Sequence, residues 1–310
     1  MAKAETLDRL INSHEERVIG VLKKLEDDIV LELQKSMGKN LSLSTQIAIQ
    51  LRPSLKALIE KNFLSEATIM VSEYDEIVKE YQNIIKKVPI PTKFKSLTKA
   101  NLEQINNLKF LSFSGFENIA NGFLDEIANE VYQSAIVGKP FAEVVKNVRG
   151  KINGVYQRSN EDAINRLVGI IEQNRYSSDA LSIAKVKNAR EILQSKYGAD
   201  ILGNNMRKYS TQIVHDSIMQ FDGQFTKYKA NEAGINKFKY TGTNIITTRE
   251  FCRRILKNPI YTEDEARSLW SSTSWKGKSG SDPFVNRGGY NCRHSFIPYD
   301  EQWEQILKGE

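Results

Sequence analysis

The sequence predicts a mainly α fold, an extended helical body carrying a small α+β module near its C-terminal end. Three observations predict it. Apolar residues recur at three, four or seven positions across most of residues 7–228, the spacing of amphipathic helices. Past Gly234 the period drops to two, with Ile235, Phe238 and Tyr240 alternating imperfectly with polar residues as in a strand. Both cysteines and two of the three tryptophans then fall between Lys239 and Pro298, among turn residues.

At 310 residues, 40% apolar and 26% charged, the chain has the composition of an ordinary globular protein and exceeds the usual size of one domain. No stretch approaches the roughly 18 apolar residues of a membrane span, and Met1 to Thr6 lead into a polar amphipathic pattern without an apolar signal core. The expectation is a protein with no membrane segment, made and kept in a cytoplasm, where its two cysteines stay reduced.

The first helix is marked by Leu7, Ile11, Val18, Leu22, Leu25, Ile29 and Leu33, and Gly38-Lys39-Asn40 supplies its stop. His14 lies on that stripe, which suits a satisfied histidine in a helix interface. A second, longer helix is expected from about Pro53, with proline in its first turn, through Lys87. It is carried by Leu55, Ile59, Phe63, Met70, Tyr74, Ile77, Tyr81 and Ile84, and Tyr74 and Tyr81 read as core aromatics. Val88-Pro89-Ile90-Pro91-Thr92 breaks the pattern and marks a boundary. Beyond it helices are predicted over Thr98–Lys109, Gly115–Val137, Pro140–Ile152, Asn160–Gln173 and Asp179–Tyr197, joined by short loops as in a bundle. A last long helix over Asn204–Glu232 ends at Gly234, a C-cap. The predicted organisation is a long-helix hairpin over 1–88, a helical bundle over 92–198 and a module with its supporting helix over 199–310.

Within the module Lys237 to Tyr240 read as a strand, and Asn244 to Thr248 as a second strand or a turn. Thr262-Glu263-Asp264-Glu265 is a capping box that starts a short helix through Trp270. The polar segment from Ser271 to Gly280 reads as a mobile loop. Gly288-Gly289 permits positive φ or a close backbone approach just before Cys292-Arg293-His294, so the two ends of the module are expected to meet there.

Charge is distributed unevenly. From Asn236 to Phe296 there are eleven Lys and Arg against five Asp and Glu, the whole of the net +6, while the rest of the chain is balanced. A basic module on a neutral body suits an anionic partner, nucleic acid above all. The candidate DNA contacts are Lys237, Lys239, Arg253, Arg254, Lys257, Lys276, Lys278 and Arg287; an ordinary solvated surface accounts for the same charges.

A long helix ending in Ala233-Gly234-Ile235, the strand Lys237-Phe238-Lys239-Tyr240, then Thr248-Arg249-x-Phe251-Cys252, and after an insert Gly288-Gly289-Tyr290-Asn291-Cys292-Arg293-His294 with Pro298 beyond, form an ordered set. That set resembles the phage Mu F-type head morphogenesis family, the minor capsid proteins of tailed phages, over roughly the last hundred residues. The resemblance implies a minor head protein docked at the portal vertex. Its partners would be the portal protein, other head proteins and packaged DNA, and it would pass from host cytoplasm into the virion. The motif positions carried over are Arg249, Cys252, Gly288, Gly289, Asn291, Cys292, Arg293 and His294.

The chemistry of those positions has several readings. Cys252, Cys292 and His294 are zinc-type donors, but a closed structural site takes four ligands, and Ile255 stands where the second cysteine of a Cys-x-x-Cys half-site would fall. The expectation is therefore no cofactor, with the cysteines as small buried residues and zinc as the lesser reading. A nuclease-like reading would use His294 as base with Arg293, Arg249 and Lys239 as a phosphate clamp. His215 with Asp216 and Asp222 offers no relay, because neighbours along a helix point to different sides. No Gly-x-Ser-x-Gly, Gly-x-x-x-x-Gly-Lys-Ser/Thr or His-Glu-x-x-His is present, and a non-enzymatic role is expected.

Overall fold

The predicted first stripe folds as written: Leu7, Ile11, Val18, Leu22, Leu25, Ile29 and Leu33 are all buried along α1 (Ala2–Lys35). Full burial of each such side chain stabilises by about 1.5–3 kcal/mol. The computed structural model describes residues 2–37, 43–88, 90–154, 162–174, 177, 179–197, 205–244, 248–275, 278 and 280–301. The predicted stop at Gly38 and the proline Pro89 lie outside them. His14 is buried with its Nε2 2.7 Å from Glu73 Oε2 and its ring stacked on Tyr74, a satisfied interface histidine.

The next helix starts earlier than Pro53. Ser44 caps α2 (Thr45–Ile59), accepting from the Ile47 amide, and this cap places Pro53 inside the helix instead of in its first turn. A π turn over Glu60–Leu64 leads into α3 (Ser65–Ser72). The pattern then breaks at Glu73 and Tyr74, whose amides bond three residues back, before α4 (Asp75–Ile85). Tyr74 and Tyr81 are core aromatics as read, buried against Phe221 and Phe225.

Where two helices are predicted over 98–137, a single one forms, α5 (Lys99–Ile136). Ser112, in the expected break, turns its hydroxyl back to the Leu108 carbonyl at 3.0 Å and so satisfies itself within the helix instead of capping a new one. The helices α6 (Phe141–Ile152), α7 (Asp162–Gln173) and α8 (Ala180–Tyr197) follow close to prediction, with Asp179 capping α8 through the Ser182 amide. The predicted start of α7 at Asn160 lies outside the described residues. Asn205 caps α9 (Met206–Glu232) through the Lys208 amide, and Gly234 ends it at φ +74° with the Ile235 amide bonding back to Ala230.

The chain resolves into two compact units that do not follow consecutive segments. One gathers 1–14, 70–114 and 212–310; the other gathers 15–69 and 115–211. The unit boundaries fall inside α1, α3, α5 and α9. In the second unit the buried Asn153 donates to Glu26 and to the Leu22 carbonyl, and Arg149 pairs with Glu26. No helix among the described residues is long and apolar enough to cross a membrane.

The module lies wholly in the first unit. Its sheet is β1 (Lys237–Thr241) between β2 (Ile260–Thr262) and β3 (Ser295–Pro298), all antiparallel, with Phe238 opposite Tyr261 and Tyr240 opposite Phe296. Between the strands come α10 (Glu250–Lys257), α11 (Glu263–Ser272) and α12 (Pro283–Asn286). The Thr262–Glu265 capping box forms in both directions. Residues 245–247, in the alternative second strand, lie outside the described residues. The mainly α body with a small α+β module is the fold the sequence predicts.

Candidate functional site

Strand alternation fixes the centre of the module. Phe238 and Tyr240 share the inward face of β1, while Lys237 is exposed. The Tyr240 ring stacks on His294 at 5.4 Å and packs against Phe296 on β3, and its hydroxyl donates to Cys252 Sγ at 3.3 Å. Cys252 arrives from α10, whose buried face is Phe251, Cys252 and Ile255. Cys292 and His294 arrive from the turn between α12 and β3. Cys252 Sγ lies 3.8 Å from Cys292 Sγ, which lies 3.6 Å from His294 Nδ1, and all three residues are buried.

The glycines do what the sequence suggests. The Gly288 amide donates to Cys292 Sγ at 3.1 Å, and a Cβ on Gly288 would overlap Cys252 Sγ and lie 2.9 Å from Cys292 Sγ. Gly289 takes φ +93° and Asn291 φ +55°, the left-handed geometry that turns the chain before Cys292. Arg249, at the start of α10, donates to the Tyr290 carbonyl at 2.6 Å and closes the other end of the clasp. The Asn291 amide donates to Asp216 Oδ1 on α9 at 2.8 Å. The motif residues, some forty positions apart, thus form one knot; Arg293 alone among its last three residues is exposed.

Burial and the neighbouring thiols push the Tyr240 hydroxyl well above its ordinary range. Cys292 is held well below the usual thiol range by the hydrogen bond from Cys252, against its own burial, with His294 and the Arg287 charge adding to the effect; Cys252 is pushed up. Arg287 is 2% exposed, and its Nε and Nη1 have no hydrogen-bond partner among the described residues. Burying a guanidinium with unpartnered donors is costly. The His294 Nε2 is also buried without a hydrogen-bond partner among the described residues.

In the segment predicted as a mobile loop, Trp275 and Lys278 are packed and hydrogen-bonded. Trp275 stacks on Phe251 at 4.2 Å, meets Trp270 edge-on and donates Nε1–H to the Gly288 carbonyl at 3.0 Å. Lys278 donates to the carbonyls of Trp270 and Thr273, its ammonium about 5 Å from both indole rings. Aromatic packing at Trp275 overrides the local polarity that suggests mobility.

These contacts also revise the basic surface. Arg287 is buried, and the half-buried Lys278 is engaged by the Trp270 and Thr273 carbonyls. Lys276 lies outside the described residues. Lys237, Arg253, Arg254 and Lys257 are exposed, the last three on the outer face of α10, and Lys239 is half-buried beside Tyr299. For the nuclease-like set, His294 is buried and Arg249 is committed to Tyr290. His215 and Asp216 do meet, Nδ1 to Oδ1 at 3.3 Å, contrary to the side-of-helix expectation, and Asp216 at the same time receives the Asn291 amide.

Sequence reading missed Tyr240, Arg287 and Asp216 as members of the site. Only Tyr240 carried a signal, its inward register on β1. No protein-family model matches the chain, and no curated protein or solved structure is matched by it.

Proposed function

We propose that this chain is a minor capsid, head morphogenesis protein of a tailed phage, a non-enzymatic virion component that docks at the portal vertex. On this reading its helices bind portal and head proteins, and its module faces packaged DNA during packaging and ejection. One observation carries it: the residues on which the family resemblance rests, Arg249, Cys252, Gly288, Gly289, Asn291, Cys292 and His294, pack into a single closed knot. Residues some forty positions apart in sequence meet in one structure, which supports reading them as one motif. The exposed Arg253, Arg254 and Lys257 on α10 support the DNA-facing part. The nuclease-like alternative has less support, because a base that attacks at a nucleic acid backbone must reach it and His294 is 5% exposed.

The test is assembly. Tagged full-length chain produced alongside the other head genes of its phage is expected to co-sediment with portal rings and mature heads. Chain found only free of both, with heads assembling normally in its absence, would sink the reading. Cleavage of DNA by the purified chain that is lost in His294→Ala would move the assignment to the enzymatic alternative.

A further inference from the structure

The geometry points to a zinc site formed by Cys252, Cys292 and His294. With Zn–S of about 2.3 Å, Zn–N of about 2.0 to 2.1 Å and tetrahedral angles, two thiolate sulfurs stand about 3.8 Å apart and a sulfur and an imidazole nitrogen about 3.6 Å apart. The observed separations are 3.8 Å for Cys252 Sγ to Cys292 Sγ and 3.6 Å for Cys292 Sγ to His294 Nδ1. The three donor atoms all fall within 4.8 Å of one another. Two edges of a coordination tetrahedron are therefore already set by the fold, with donors of the type zinc prefers.

The surroundings fit a metal thiolate better than a pair of packed thiols. The Gly288 amide and the Tyr240 hydroxyl both donate to sulfur, at 3.1 Å and 3.3 Å, the polarity a ligating thiolate takes from its outer shell. Gly288 lets the backbone press against both sulfurs at once, where a Cβ would overlap Cys252 Sγ. The His294 ring is fixed by stacking on Tyr240 with Nδ1 turned to the sulfur. Two thiolates offset the charge of Zn²⁺, and the buried Arg287 adds one positive charge nearby, so the fourth vertex suits a small anion such as hydroxide. The missing Cys-x-x-Cys partner at Ile255 is thus not disqualifying, because a three-ligand Cys₂His site with an open fourth position is itself a zinc geometry.

Metal analysis of the full-length chain, purified without chelator, is expected to give roughly one zinc per chain, and the His294→Ala and Cys292→Ser chains at least about tenfold less. Addition of Co²⁺ to metal-stripped, reduced wild-type chain is expected to give an intense thiolate-to-cobalt charge-transfer band and the ligand-field pattern of four-coordination. This measurement needs no variant and survives any misfolding of the ligand mutants. Tyr240→Phe is expected to keep the stoichiometry and weaken zinc by about tenfold. Wild-type chain with only trace zinc and no cobalt–thiolate band overturns the site, and the cysteines are then a packed dithiol.

Discussion

Replacing Gly288 by alanine tests whether the backbone sits against both sulfurs as tightly as the geometry requires. Gly288 does not take positive φ, so the cost is steric alone. The new methyl meets Cys252 Sγ in outright overlap and Cys292 Sγ at 2.9 Å, both in a buried cluster with Phe251, Phe284 and Phe296 around it. Overpacking of this kind costs about 1–3 kcal/mol. If the turn moves away to relieve it, the Gly288–Cys292 N–H···S bond and the Trp275–Gly288 bond weaken, each worth about 1 kcal/mol. Burial of one methyl returns at most about 0.8 kcal/mol. The net expectation is a loss of about 2 kcal/mol, read as a lower urea midpoint with unchanged slope, using the near-ultraviolet signal of Trp270 and Trp275, which lie in this cluster. Gly234→Ala is the control: it sits at φ +74° with nothing within 4 Å, so only backbone strain of about 1 kcal/mol applies. A Gly288→Ala loss below about 0.5 kcal/mol would refute the close approach.

Other substitutions probe the supports of the module. Gly223→Ala places a Cβ into the carbonyl oxygen of Phe284 and is expected to cost about 1–3 kcal/mol, whereas Gly122→Ala, exposed on α5 with nothing within 4 Å, is expected to stabilise by about 0.5–1 kcal/mol; paired urea melts of the two check the contrast. Trp275→Ala removes two ring contacts and a hydrogen bond from a half-buried site and is expected to cost about 3 kcal/mol, measured by the same melts. Burial pushes the Glu263 carboxyl up, but Lys227 and Arg267 outweigh it and hold it below its ordinary value. Its contribution is therefore present above the unfolded-state carboxylate pKa and is lost as pH falls through the lower folded value. Acid titration of stability should show a smaller loss in that window for Glu263→Gln than for wild type, and identical acid limbs would remove the network from the account.

Most of the helical body was legible because its cores are apolar stripes at helical spacing, as along α1 from Leu7 to Leu33. The errors fell where a single side chain decides. Ser44 moved a helix start away from Pro53, and Ser112 bonded within its own helix and erased a predicted break. The attachment of the module to α9 was invisible for a different reason. Asp216, Gly223, Lys227 and Ala230 are spaced by seven, four and three residues, so they share one helix face. They meet Asn291, Phe284, the Glu263–Asp282 pair and the module core in turn. An acid, a glycine, a lysine and an alanine make no hydrophobic stripe, so periodicity passes over the face that matters most. Within the knot the cysteines and histidine stood out by rarity and Tyr240 by its inward register, but nothing in the residue pattern shows that Arg287, next to Gly288, turns inward.

The knot and the basic surface share α10, and this coupling decides how a DNA-binding experiment must be read. Eight residues are too few to hold a helix in isolation. The outward display of Arg253, Arg254 and Lys257 therefore depends on the inward anchoring of Phe251, Cys252 and Ile255. On the proposed DNA-facing role, two kinds of variant are expected to weaken DNA binding for different reasons. Arg254→Glu removes a phosphate contact, so affinity falls and the slope of log affinity against log salt drops by about one. Gly288→Ala leaves every basic residue in place and lowers only the fraction of chains with the knot closed, so affinity falls with the slope unchanged. Measured across a salt series on the full-length chain, equal slopes for wild type and Arg254→Glu would show that α10 does not meet the phosphates. A reduced slope for Gly288→Ala would show that the display of its basic face is not coupled to the knot as an all-or-none unit.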